Sequence, residues 1–155
     1  MKLSENLSVR EFTKSNTAER RGIDNSLPKK HWIAAKTLAE KIFQPIREHF
    51  NTPIYISSGY RSEALNEAIG GSKTSQHSKG EAIDIDMDYK RGPSNAEVFY
   101  FIKDNLPFDQ LIWEFGDDEN PSWVHVSYNH DGEQRGKILV AYKSNGKTKY
   151  KFWDR

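Results

Sequence analysis

The chain has 155 residues, a length that predicts a single domain, residues 1–155, built around one hydrophobic core. Eight Phe, seven Tyr and four Trp supply the large side chains that such a core needs. The 23 basic and 22 acidic residues are spread along the whole chain, and the formal net charge is only +1. This balance excludes a strongly basic surface for nucleic acid, so we expect no nucleic-acid partner.

Cysteine is absent from the chain. The protein therefore has neither a disulfide framework nor a thiolate metal site, and any metal must be held by His, Asp or Glu. Residues 1–6 lack the apolar run of a secretion signal, and no stretch approaches the roughly 18 apolar residues of a membrane span. We expect a protein that is made in the cytoplasm without a signal peptide.

Helix signals dominate the first half of the chain. Ser8 and Glu11 have the spacing of a capping box, which predicts that a short helix begins there. Over residues 29–50 apolar side chains recur at every fourth position, as in a helix packed on a core, and Pro45 is expected to kink or end this helix. A brief third helix is predicted to begin after Ser62.

Strand signals dominate the second half. A second capping box, at Ser94 and Glu97, predicts one more helix that runs to about Asn105. Strands are predicted over residues 54–57, 82–88, 110–115, 123–128, 138–142 and 148–153. Helices and strands without regular alternation predict an α+β fold, with a mainly antiparallel sheet and helices packed on one side of it.

The most unusual residues lie in a loop and in the strand that follows it. His77 precedes Asp84 by seven residues, and Gly80 between them lets the chain turn tightly, so that both side chains can reach one point. A third group, His125, points away from the apolar side of its predicted strand. Two imidazoles and one carboxylate suit zinc, and three protein ligands leave a fourth position open for water, as in catalytic zinc sites.

Three segments together resemble a known family. Residues 75–84 fit the pattern Ser-x-His-x-x-Gly-x-Ala-x-Asp, residues 58–61 read Ser-Gly-Tyr-Arg, and residues 123–125 read Trp-x-His. This combination resembles the zinc D-Ala-D-Ala carboxypeptidases and L-alanyl-D-glutamate endopeptidases, whose hedgehog/DD-peptidase fold is shared with the hedgehog signalling domain. The resemblance covers about residues 54–128. It implies one zinc peptidase domain that occupies residues 1–155.

The resemblance also implies roles for particular residues. His77, Asp84 and His125 would be the zinc ligands, Arg61 the cation that meets a substrate carboxylate or carbonyl, and Ser75 a polar contact for the substrate. A guanidinium presents a planar fork of donors that suits this task. The implied substrate is a peptidoglycan stem peptide, cut at a D-Ala-D-Ala end or at the L-Ala-D-Glu bond. We expect a monomer that acts at the cell wall if it is exported or released during lysis.

The general base departs from the family pattern. Many relatives have a Glu three residues before the last histidine, where this chain has Ser122. Glu114 lies on the preceding predicted strand, and a hairpin that turns through residues 117–121 would bring it near His125. We predict that Glu114 takes the proton of the attacking water. The lesser candidates are the acids of the turn: Asp117, Asp118 and Glu119.

An alternative function belongs to another class. A noncatalytic zinc domain that binds a partner, as in hedgehog, would retain the fold without a positioned base. The other three histidines are expected to be ordinary surface or core residues: His31, His49 and His130. Residues 131–155 are expected to form a hairpin that completes the core, with no chemistry assigned to it.

Overall fold

A computed structural model describes every residue from Met1 to Arg155. The first elements are β1 (Lys2–Ser4), β2 (Leu7–Ser8), α1 (Val9–Thr13), α2 (Asn16–Arg21), α3 (Trp32–Leu38), α4 (Gln44–Phe50), β3 (Ile56–Ser58) and α5 (Glu63–Ala68). The later elements are β4 (Ala82–Ile85), α6 (Asn95–Asn105), β5 (Gln110–Glu114), β6 (Trp123–Ser127), β7 (Lys137–Ser144) and β8 (Lys147–Phe152). None of the helices has the length and apolar character that crossing a membrane requires.

Both predicted capping boxes are present. The Ser8 hydroxyl accepts a hydrogen bond from the Glu11 backbone N–H at 3.1 Å, and the Glu11 carboxylate accepts one from the Ser8 N–H at 3.2 Å. Ser94 and Glu97 form the same reciprocal pair, and α6 ends at Asn105 as predicted. Three elements near the beginning of the chain were not predicted, because β1, β2 and α2 are each only two to six residues long.

The predicted long helix continues past Pro45. Between α3 and α4 the chain makes a π turn, Ala39–Phe43, and Pro45 lies in the first turn of α4. Proline lacks an N–H and crowds the carbonyl four residues before it, so a wider turn immediately before Pro45 accommodates the ring. The proline therefore does not end the helix, which closes at Asn51 in a left-handed conformation.

The main sheet has six strands in the order β3-β4-β6-β5-β7-β8. Every neighbouring pair is antiparallel except β5 and β7, which are parallel, so the prediction of a mainly antiparallel sheet is confirmed. The predicted hairpin of β5 and β6 is also present, with Ile112 opposite His125 and Glu114 opposite Trp123. Opposed residues point to the same face of a sheet, so Glu114 and His125 share one face.

The two faces of the sheet have different chemistry. The helices cover one face, which carries buried apolar residues of the strands: Ile83, Ile85, Leu111, Trp113, Val124, Val126 and Val140. On the other face Asp84, His125 and Ile112 lie directly opposite one another in a row, and Glu114 lies one row further along. The α+β fold with helices on one side is therefore confirmed, and it leaves the polar face free.

Gly59 joins the beginning of the chain to this sheet. A Cβ atom at Gly59 would lie 2.2 Å from the carbonyl oxygen of Phe12, so only glycine fits there. The same oxygen accepts a hydrogen bond from the Tyr60 N–H at 2.8 Å. The Asn25 amide then donates to the Tyr60 carbonyl at 3.0 Å. These contacts hold the segment after β3 against α1.

We expect Gly59→Ala to lower the free energy of unfolding by about 3 kcal/mol, because the new methyl group would push two backbone segments apart. Gly132→Ala is the matched control, since a Cβ there meets only the flexible Asn129 amide at 3.2 Å. Its effect should stay within about 1 kcal/mol. Urea denaturation measures the free energy of unfolding of both variants. Equal values for Gly59→Ala and Gly132→Ala would show that the close approach of Phe12 does not require glycine at position 59.

Candidate metal centre

His77 is presented by a single turn of 3₁₀ helix, Gln76–Lys79. The Ser75 hydroxyl begins this turn by accepting a hydrogen bond from the His77 N–H at 3.2 Å. Gly80 ends it with φ at +72°, a left-handed conformation that favours glycine. The chain then enters β4 directly. The seven-residue spacing between His77 and Asp84 therefore corresponds to one capped helical turn, which carries His77, followed by the strand that carries Asp84.

The three predicted ligands converge. Asp84 and His125 face each other across β4 and β6, and the Asp84 Oδ1 lies 2.9 Å from the His125 Nδ1. The same oxygen lies 3.3 Å from the His77 Nε2. One candidate ligand atom from each residue lies within 4.8 Å of the others, a group that could hold a metal ion.

The hydrogen bonding of His77 indicates that this group needs a cation. The His77 Nδ1 lies 2.7 Å from the Gly59 carbonyl oxygen, which can only accept, so Nδ1 must carry the proton. In a neutral ring the Nε2 lone pair then faces the Asp84 carboxylate. Two acceptors at that distance repel each other unless a proton or a metal ion lies between them. The donor set therefore fits a divalent cation such as zinc.

Arg61 contacts the other oxygen of the same carboxylate. Its Nη2 donates to the Asp84 Oδ2 at 3.2 Å, and its Nε donates to the Ser58 hydroxyl at 2.9 Å. These bonds orient Asp84 so that Oδ1 faces both histidines. Burial opposes the ionisation of Asp84, but the positive charge and hydrogen bonds that the two histidines supply when protonated outweigh it and hold the pKa of Asp84 below the ordinary value. Asp84 is therefore available as an anionic ligand.

Glu114 is the acid of the β5–β6 hairpin that faces the metal group. Burial raises the pKa of its carboxyl to about 7 from an ordinary value of 4.5, and its side chain lines the same cleft as the three ligands. The acids of the turn do not line this cleft. Asp117 instead accepts hydrogen bonds from the Glu119 and Asn120 N–H groups, each at 2.9 Å. Asp118 lies 3.3 Å from Arg155 and is exposed.

The metal group opens into a cleft of about 980 Å³. Arg61, Ser75 and Glu114 line it together with the three candidate ligands. The terminal hairpin of β7 and β8 forms one wall, with these residues: Lys137, Leu139, Thr148 and Tyr150. The expectation that residues 131–155 only complete the core is therefore incomplete. The local sequence carries no signal for this, because the parallel pairing of β7 with β5 joins segments that are distant in the chain.

Tyr150 is a titratable group on that wall, and the charges of Glu114 and Asp84 act on it. Glu114, Ala141 and Tyr150 lie opposite one another across three strands, and the small Ala141 separates the side chains of Glu114 and Tyr150. Partial burial, and then the negative charges of Glu114 and Asp84, raise the pKa of the Tyr150 phenol. The phenol therefore stays protonated and can donate a hydrogen bond within the cleft.

The remaining histidines lie outside the metal group. His49 stacks on Phe101 with ring centroids 4.1 Å apart, as expected for a packing residue. His31 lies beside Tyr60 at 6.0 Å. The His130 Nδ1 lies 2.8 Å from the carboxylate of the buried Glu81. The pair of His130 and Glu81 was not predicted from the sequence. Glu81 is the buried acid of the loop that leads into β4.

We expect one zinc ion per chain, lost when a candidate ligand is removed. His77→Ala, Asp84→Ala and His125→Ala should each bind little zinc, because two remaining ligands hold the ion weakly. His49→Ala is the matched control and should keep its metal. Elemental analysis after dialysis measures the content. Full occupancy in the His77→Ala protein would contradict this assignment.

We also expect Glu114 to make the stability of the metal-free protein depend on pH. The groups whose charges act on it are His125, Asp84 and Arg61, with Tyr150 across Ala141. Because its folded-state pKa is raised, Glu114 stabilises the fold most below its ordinary pKa of 4.5, and this contribution is lost as the pH rises through about 7.

The raised pKa of Glu114 corresponds to a loss of roughly 2–3 kcal/mol in the free energy of unfolding between about pH 5 and pH 8.5. Urea denaturation of the wild type and of Glu114→Gln over this pH range measures it. The stability of the wild type relative to the variant should fall by that amount. Parallel curves for the two proteins would mean that the Glu114 carboxyl ionises as readily in the folded chain as in the unfolded one.

Comparison with known proteins agrees with this geometry. The family model described as peptidase M15 matches residues 5–127, well over half of the chain. A search of the curated proteins finds no significant match. The matched region contains all three candidate metal ligands, Arg61 and Glu114, and it ends before the terminal hairpin. The chain belongs to the peptidase M15 family.

Proposed function

We propose that this protein is a zinc-dependent peptidase that hydrolyses peptide bonds of peptidoglycan stem peptides. The observation that carries the proposal is the convergence of His77, Asp84 and His125 beside a buried acid, Glu114, in one open cleft. A metal site that also has a positioned acid with a raised pKa is typical of hydrolytic centres. Membership of the peptidase M15 family supports this reaction class.

The metal would supply polarisation of the scissile carbonyl and acidification of water at neutral pH. Glu114 would act as the general base and then as the general acid. Because burial raises the pKa of its carboxyl, Glu114 can both accept a proton from the attacking water and return it to the leaving amine. Its burial keeps bulk water from competing for that proton.

Arg61 would bind the substrate oxygen that becomes negative. Its Nε and one hydrogen of Nη2 are engaged by Ser58 and Asp84, which leaves Nη1 free for a further contact. Because these bonds hold the guanidinium in place, it meets the developing charge without reorganisation. The hydroxyl of Ser75 lines the same cleft and would supply a further polar contact to the peptide.

The alternative of a noncatalytic recognition domain is less well supported. Such a domain would need the metal group but no acid of raised pKa beside it, and burial of an unused carboxylate destabilises a fold. The buried side chain of Glu114 therefore favours catalysis. We propose that a monomer acts at the cell wall, after export or after release during lysis, on either the D-Ala-D-Ala or the L-Ala-D-Glu bond.

The decisive experiment is mass spectrometry of purified peptidoglycan digested with the zinc-loaded protein. Release of D-Ala would identify a carboxypeptidase, and cleavage between L-Ala and D-Glu an endopeptidase. We expect Glu114→Gln to lower the turnover number by about 10²- to 10⁴-fold while zinc content stays unchanged, because only proton transfer is removed.

Asp118→Asn is the matched control for Glu114→Gln, because Asp118 belongs to the same hairpin and lies outside the cleft. It should keep wild-type turnover. Absence of any cleaved product with fully zinc-loaded wild-type protein would favour the recognition-domain alternative. Wild-type turnover in Glu114→Gln would remove Glu114 from the mechanism.

A further inference from the structure

A fixed guanidinium lies at one end of the cleft, apart from Arg61. Arg135 donates from Nε to the Asp109 Oδ1 at 3.0 Å and from Nη2 to the Asp109 Oδ2 at 2.7 Å. The Arg135 backbone N–H also donates to Oδ1 at 3.0 Å. Asp109 is only 3% exposed, whereas the Arg135 side chain is 56% exposed and lines the cleft. A buried carboxylate thus orients an accessible cation.

This pair is tied to the metal site. The Gln76 side-chain amide donates to the Asp109 Oδ2 at 3.2 Å, and Gln76 immediately precedes His77. The Nη1 of Arg135 makes no bond to Asp109, so both of its hydrogens are available to a ligand. The position of this guanidinium is therefore fixed relative to the reaction centre.

Other charges at this end make it attractive to anions. Lys137 and Lys79 also line the cleft, and neither forms an ion pair within the chain. The acids at this end are already engaged, since Asp109 is bound by Arg135 and Glu81 by His130. Arg135 and Asp109 offset each other's charge, so the net positive charge at this end comes from Lys137 and Lys79.

We propose that Arg135 and Lys137 form a subsite for a carboxylate of the substrate, separate from the contacts of Arg61. The inference rests on the proposed peptidase function and names its substrate class: an acidic peptide that carries a free carboxylate to one side of the scissile bond. Both residues lie beyond the region matched by the family model, so this subsite is a property of this chain's terminal segment.

The sheet register sets the distance from that carboxylate to the reaction centre. Lys137 lies on β7, two strands away from His125 on β6. It pairs with Gln110, which lies two residues before Ile112, the residue opposite His125. Strands about 4.8 Å apart and rows about 7 Å apart separate the two backbone positions by about 12 Å. An extended peptide covers about 3.4 Å per residue, and the lysine side chain spans part of the gap. The carboxylate therefore belongs two or three residues from the scissile bond.

The test uses two synthetic stem-like peptides that differ only in one group, a free carboxylate or its carboxamide, two or three residues from the scissile bond. With the zinc-loaded wild type, kcat/KM should be about 10-fold higher for the acid, mainly through KM, as expected for a charge-assisted contact. Lys137→Gln and Arg135→Gln should each remove most of this preference, by lowering kcat/KM for the acid towards the value for the carboxamide.

Lys149→Gln is the matched control, because Lys149 belongs to the same hairpin but points to its opposite face. It should keep the full preference for the acid. Since Arg135→Gln leaves the buried Asp109 without its cation and can disturb the fold, Lys137→Gln alone is sufficient for the conclusion. Equal kcat/KM for acid and carboxamide in the wild type would overturn the subsite, as would a Lys137→Gln protein that retains the preference.

A binding measurement separates this inference from the proposed function. Calorimetric titration of the metal-free protein with the same two peptides should give a dissociation constant about 10-fold lower for the acid, and Lys137→Gln should abolish the difference. If the metal-free protein binds the acid more tightly than the carboxamide but the zinc-loaded protein cleaves neither peptide, the subsite would be sustained and the peptidase refuted. Cleavage of both peptides without a preference in binding would sustain the peptidase and refute the subsite.

Discussion

The carboxylate of Asp84 is the interaction on which the site depends. It is buried, it receives Arg61 on one oxygen, and both histidines face the other. Because the His77 Nδ1–H donates a hydrogen bond to the Gly59 carbonyl, the Nε2 of the neutral ring turns a lone pair towards Asp84. Arg61 compensates one oxygen of this carboxylate, but the other oxygen faces two imidazole nitrogens and is costly to bury without a cation between them, which is the physical reason that the group suits a metal.

The sheet supports this arrangement by dividing its two faces. Alternation along each strand sends apolar side chains to the helices and leaves the opposite side for Asp84, His125 and Glu114. Glu114 lies on the polar face, where burial of its side chain raises the pKa of its carboxyl. The apolar face of the sheet therefore stabilises the fold, and the polar face holds the reactive groups.

The terminal hairpin extends that polar face beyond residues 5–127, the region that the family model matches. Parallel pairing of β7 with β5 brings Tyr150 into the row of Glu114, and it brings Lys137 next to Gln110. Asp109, at the edge of β5, then orders the turn before β7 through its bonds to Arg135. The metal site and the hairpin wall are thus joined by hydrogen bonds as well as by the sheet.

The sequence by itself determined the local features, because they depend on neighbours in the chain. The capping boxes at Ser8 and Ser94, the strand alternation and the motif around His77 all follow from short spacings. Only the tertiary structure decided what depends on distant segments: the order of the strands, the contact of Arg61 with Asp84, and the hairpin wall. Burial and pairing across the sheet are properties of the whole chain, so no local pattern encodes them.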